Sequence, residues 1–118
     1  MNIQIYVTKA NPDSLKAERF FKERKIKAQV VDLKKHKLGL RELELFARAA
    51  GGARNLVDRR GRKALERPVA HMTGDSLILS ELMNEPMALV CPIVRNGQKV
   101  TVGADEQAWL AWLREEPA

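Results

Sequence analysis

The chain is poor in the residue types that most often mark a chemical site. Its 118 residues include one cysteine, Cys91, so neither an internal disulfide nor a Cys-x-x-Cys pair can form. The two histidines, His36 and His71, stand far apart and make no metal-ligand spacing, so no metal site is expected. Aromatic residues make up only 5%, and none interleaves the basic stretch from Arg54 to Arg67. Direct nucleic-acid binding on a stacking surface is therefore not expected. No apolar run approaches the ~20 residues that a membrane span requires. The opening MNIQIYVTK lacks the apolar core of a signal peptide, so a cytoplasmic protein away from the membrane is expected. There is no internal repeat, no low-complexity tract and no linker between two cores.

What remains is an ordinary globular composition. Hydrophobic residues make up 45% and charged residues 31%, and the length suits one domain spanning residues 1–118. The net charge of +6 is unevenly placed. Residues 1–60 carry 15 Lys and Arg against 7 Asp and Glu, whereas residues 61–118 carry 6 against 8. A basic half can attract an anionic ligand or an acidic partner, and it can equally be a solvated surface.

Apolar periodicity outlines the elements. Ile3, Ile5 and Val7 alternate along a first strand that Tyr6 makes largely apolar, which suits a central position. Asn11-Pro12-Asp13-Ser14 reads as a helix start: Asn11 is a good N-cap, Pro12 fits the first helical position, and Asp13 suits the positive end of the helix dipole. Ala17, Phe20 and Phe21 form the buried stripe of that helix, and Ala28–Leu33 gives a second strand. A strand, a helix and a strand make a right-handed unit with a parallel pair. Leu40, Leu43, Phe46, Ala47 and Ala50 mark a second helix ended by Gly51 or Gly52. Asn55–Val57 reads as a short helical turn, and Asp58–Lys63 as an exposed loop. Leu77, Leu79, Leu82 and Met83 mark a further helix, capped by Thr73 or Asp75. Two apolar runs flank Asn96-Gly97, the signature of a type I′ hairpin. Asp105 can cap a last helix with Trp109, Trp112 and Leu113 on its inner face, so both tryptophans are expected in the core. The order predicts an α/β, thioredoxin-like fold with a mixed four-stranded sheet, order 2-1-3-4. Helices should cover both faces.

At this point the chain resembles the arsenate reductase/Spx family of thioredoxin-fold proteins. The resemblance is carried by Ile5-Tyr6 with Thr8-Lys9, the run Lys16 to Arg24, Asp32-Leu33-Lys34 and Arg41-Glu42-Leu43. It continues through Pro92 to Gly97, Thr101-Val102-Gly103 and Trp109, in family order over nearly the whole chain. The resemblance implies the same fold, with a helical insertion at about 38–87 between the second strand and the hairpin. The resemblance implies a nucleophilic cysteine between the first strand and first helix, where a helix N-terminus lowers a thiol pKa and cradles an oxyanion. That position here holds Asn11, and an amide forms neither a thiolate nor a mixed disulfide. The Cys-x-x-Cys switch of Spx-type regulators is replaced by Asn11 and Ser14. The family's oxyanion-binding arginines fall on Cys91, on or beside Asp58 with Arg59 next to it, and near Val102. Lys9 and Arg59 remain as candidate anion contacts, beside a degenerate loop of Lys9, Asn11, Pro12, Asp13 and Ser14. Pro92, heading the third strand, is the cis-proline candidate.

Two functions follow from these residues. The first is a family member without arsenate reductase activity and without a cofactor, acting as a protein-binding or regulatory module. By family analogy its partner would be of the kind Spx-type regulators bind, RNA polymerase. The alternative is a thiol- or glutathione-dependent oxidoreductase using Cys91, whose thiol the dipole of the first helix could activate. Against that, a free cysteine is also an ordinary small core residue.

Overall fold

The computed structural model describes residues 1–8 and 11–115. Four strands form one mixed sheet in the order β2-β1-β3-β4: β1 (Ile3–Val7), β2 (Ala28–Asp32), β3 (Ile93–Asn96) and β4 (Lys99–Val102). β1 runs parallel to β2 and antiparallel to β3, and β3 and β4 form the hairpin. The sheet order is the one the strand–helix–strand and hairpin patterns predict.

Among the described residues five α-helices accompany it: α1 (Pro12–Glu23), α2 (Leu40–Ala50), α3 (Arg62–Glu66), α4 (Asp75–Asn84) and α5 (Glu106–Glu115). Three 3-10 turns, Ala53–Leu56, Pro68–His71 and Pro86–Ala88, stitch together the segment between β2 and β3. The alternation within β1 explains the layering. Ile3 and Ile5 point to one face, where Phe20, Phe21 and Ala17 of α1 meet Trp109 and Trp112 of α5. Tyr6 points to the other, where Leu43 and Phe46 of α2, Ile78 and Leu82 of α4 and Leu56 form the larger core. Period-two side chains on one central strand thus serve two cores at once.

Local details depart from the sequence expectations in four places. The hairpin pairs Asn96 with Lys99, so its two-residue loop is Gly97-Gln98 rather than Asn96-Gly97. Gly97 has φ +64° and Gln98 is not among the positive-φ residues, which is the pattern of a type II′ turn with glycine first. α4 takes Gly74 as its N-cap rather than Thr73 or Asp75. The stretch read as an exposed loop already starts α3 at Arg62. His71, a candidate for burial, is exposed, with its Nε2 2.6 Å from the Leu65 carbonyl oxygen. α2 ends at Gly51, whose left-handed φ of +83° suits a residue without a Cβ. Among the described residues, no helix is long and apolar enough to cross a membrane.

Candidate functional site

The N-terminus of α1 and the segment entering β3 meet at Asn11. The asparagine is the N-cap of α1, in extended conformation, and its Oδ1 accepts from the backbone N–H groups of Asp13 (2.9 Å) and Ser14 (3.3 Å). Its Nδ2 donates to the Cys91 carbonyl oxygen at 3.1 Å. Both ends of the amide are therefore engaged: one satisfies the helix's first free donors, the other ties the helix to the β3 entry. Lys9 lies outside the described residues. Pro12 is exposed, and Ser14 is buried with no hydrogen-bond partner for its Oγ among the described residues.

The Cys91–Pro92 peptide bond is cis, and Pro92 precedes β3 directly. Cys91 itself is 1% exposed. Burial pushes its thiol up to about 11, with Asp58 adding a smaller push and hydrogen bonding to Thr8 and the nearby Arg60 charge opposing. At neutral pH only about one such thiol in ten thousand is ionised. The α1 N-terminus does not activate it: Asn11 has already taken up the donors at that end, and the chain reaches Asn11 through its carbonyl, not its sulfur.

Arg59 does not face this site. Its guanidinium turns toward the helical segment, where Nε donates to the Ala70 carbonyl (3.3 Å) and Nη1 to the carbonyls of Arg54 (2.6 Å) and Val57 (3.4 Å). These bonds pin two 3-10 turns together, while its buried Nη2 has no hydrogen-bond partner among the described residues. The neighbouring Arg60 does the reaching. Its Nη1 lies 3.5 Å from Asp13 Oδ2, and its Nε donates to Asp58 Oδ1 at 3.3 Å. What brings it there is a bridge between Val57 and Leu89, with the Asp58 N–H bonded to the Ala88 carbonyl and the Val90 N–H to the Leu56 carbonyl. That pairing lays Asp58 and Arg60 beside the Cys91 segment. Nothing in the local sequence signals a pairing between residues thirty positions apart, and the choice between Arg59 and Arg60 depends on it.

The first turn of α1 thus already holds a carboxylate, Asp13, with its own arginine. An incoming oxyanion would meet a like charge there, and the amide cap has consumed the donors it would need. Val102, at the end of β4, is half-buried against the larger core, and the Gly103 N–H beyond it donates to the Pro92 carbonyl at 2.8 Å. An apolar side chain at that position adds no charge to the site.

The fold is that of arsenate reductase-related, thioredoxin-like proteins. The YffB protein matches over 93% of this chain and 97% of its own, with a TM-score of 0.81 and 19% identity. An arsenate reductase from Vibrio cholerae matches over 94% and 97%, with a TM-score of 0.78 and 17% identity. An arsenate reductase-related protein from Brucella melitensis matches over 97% and 96%, with a TM-score of 0.69 and 21% identity. No family model and no curated protein matches the sequence. At such identities the likeness is one of fold, and function has to be argued from the site.

Proposed function

We propose that this chain is a cytoplasmic member of the arsenate reductase/Spx family that lacks arsenate reductase activity and acts as a protein-binding, regulatory module. The observation that carries the proposal is Asn11: an amide, engaged at both ends, at the place where the resemblance puts the nucleophilic thiol. An amide cannot supply the electron pair that attacks an oxyanion, nor can it form the mixed disulfide that resolves the product. The Asp13–Arg60 pair adds to this by filling the helix N-terminus with the protein's own charges. By family analogy the partner is RNA polymerase.

The alternative, a glutathione-dependent oxidoreductase using Cys91, needs a thiolate in contact with a second thiol. Burial at 1% exposure and a thiol pushed to about 11 disfavour both requirements. The test is arsenate reduction with glutathione or thioredoxin as electron donor, alongside co-sedimentation with RNA polymerase. The expected result is arsenate turnover equal to a blank without protein, together with retention on the polymerase. Sustained turnover that disappears in Cys91→Ser would replace the binding module with the oxidoreductase.

A further inference from the structure

β2 is an edge strand: among the described residues its one sheet neighbour is β1. In a parallel pair, alternate residues send both backbone groups to the same side. The Leu33 N–H donates to the Val7 carbonyl, so Gln29, Val31 and Leu33 face β1, while Ala28, Val30 and Asp32 turn their backbone groups outward. The Asp32 carbonyl is taken by the turn to Lys35 and His36. The N–H and C=O of Ala28 and Val30 and the N–H of Asp32 have no partner among the described residues. Edge strands are commonly blunted by proline, a bulge, a covering loop or lysines along the strand; β2 has no proline, and its lysines flank it rather than lie on it.

A groove of about 540 Å³ runs between this edge and α1. Its floor is apolar, with Ile26 and with Val30, which is 46% exposed; its rim carries Lys22, Lys25 and Lys27 against a single acidic residue, Glu18. The charge extends past both ends of the strand. From Lys22 to Lys37 there are seven Lys or Arg and two Asp or Glu.

We propose that this edge takes an extended segment of a partner protein, with valine-like side chains for the groove and carboxylates for its rim, added to the sheet as a fifth strand. The inference rests on the protein-binding role proposed above and gives that partner its chemistry. Unpaired backbone groups call for another backbone, which nucleic acid does not offer in that form, and no aromatic side chain lines the groove for a base to stack on. A second copy of this chain is a poor occupant. Self-pairing would bring together two edges of the same sign, each flanked by the seven Lys and Arg from Lys22 to Lys37, and so lacks the charge complementarity an acidic segment supplies.

The probe is a short synthetic peptide alternating valine with glutamate, compared with the same peptide carrying lysine in place of glutamate. The readout is amide hydrogen exchange of the full chain. The glutamate peptide should slow exchange at Val30 and Asp32 by at least about tenfold, and the lysine peptide should not. Val30→Pro removes one outward donor, is tolerated on an edge, and should abolish the protection. Lys25→Glu combined with Lys27→Glu leaves the backbone alone and should exchange the two peptides' ranking. No protection at these amides, or equal protection by both peptides, overturns the proposal. So does protection that rises with protein concentration without peptide, or that comes from a single-stranded oligonucleotide instead. Retention on RNA polymerase with the β2 amides still exchanging freely would overturn this edge while leaving the binding role standing.

Discussion

At the residue scale, Asn11 and Cys91 divide the site between structure and chemistry. Asn11 acts as an acceptor toward the helix and as a donor toward Cys91, and two substitutions separate the roles. Asn11→Asp keeps the capping oxygen but sets a second acceptor against the Cys91 carbonyl, whereas Asn11→Ala loses both. Denaturant unfolding should give a loss of about 1–2 kcal/mol for the alanine variant. The aspartate variant should lose at least as much despite its good cap, because its carboxylate faces a carbonyl and lies near Asp13; a gain in stability would show that the Cys91 contact contributes nothing. Cys91 makes a prediction in pH. Its folded thiol binds its proton more tightly than the unfolded thiol, whose ordinary value is 9.0. The native state therefore holds more protons between the two values, and stability is lost as pH rises from about 9 to about 11. The loss assignable to Cys91 should be about 2–3 kcal/mol, read as the difference between the wild type and Cys91→Ala across that window. Parallel curves for the two proteins would mean that the thiol titrates normally. Tyr6 is held up in the same direction, chiefly by burial and then by Glu42, and it contributes equally to both curves.

At the scale of elements, one ring, Trp109, joins α5 to both the sheet and α1. Trp109 is fully buried, packs on Phe20 and Phe21 at 5.1 and 5.5 Å between centroids, and donates from Nε1 to Thr101 Oγ1 at 2.8 Å. The helix thus reaches β4 by a hydrogen bond and α1 by aromatic packing. Trp109→Ala should cost ~3–5 kcal/mol, from lost burial and the cavity left behind. Thr101→Val keeps the shape but strands the indole N–H and should cost about 1–3 kcal/mol. Trp112, slightly exposed at 7%, belongs to the same cluster and should cost less than Trp109. Losses under about 1 kcal/mol for both tryptophan variants in chemical denaturation would place these rings outside the core.

At the scale of the whole molecule, two cores share one sheet. Ile5 and Val94 serve the core under α1 and α5, and Tyr6 and Ile93 serve the core under α2 and α4, from the same two adjacent strands. Neither core can lose its sheet face without disturbing the other. Tryptophan fluorescence reports only the first core, since both tryptophans lie there, whereas most of the helical circular dichroism outside α1 and α5 comes from the second. The two signals should follow one denaturation curve, as two-state unfolding requires. Separate midpoints would show that the helical segment between β2 and β3 unfolds by itself.

The elements with strong local signals were legible in the sequence. α1 has an amide cap, a proline at its first position and a buried stripe of Ala17, Phe20 and Phe21; α2 has its apolar period and a terminal glycine; α5 has its capping aspartate and two tryptophans three residues apart. Periodicity and capping are short-range, so a linear reading recovers them. The sheet order follows from them, because a strand–helix–strand unit and a hairpin combine in few ways. The tertiary structure alone decided the details of the site. Gly97 rather than Asn96 opens the hairpin loop because the pairing with β1 and β4 sets the register, not the dipeptide. Arg60 rather than Arg59 meets Asp13 because a single bridge between Val57 and Leu89 fixes which of two adjacent side chains turns inward. Cys91 stays protonated because burial outweighs the hydrogen bonding to Thr8 and the nearby Arg60 charge. Each of these depends on contacts between residues far apart in the chain, and those contacts are set by how the two cores pack against one sheet.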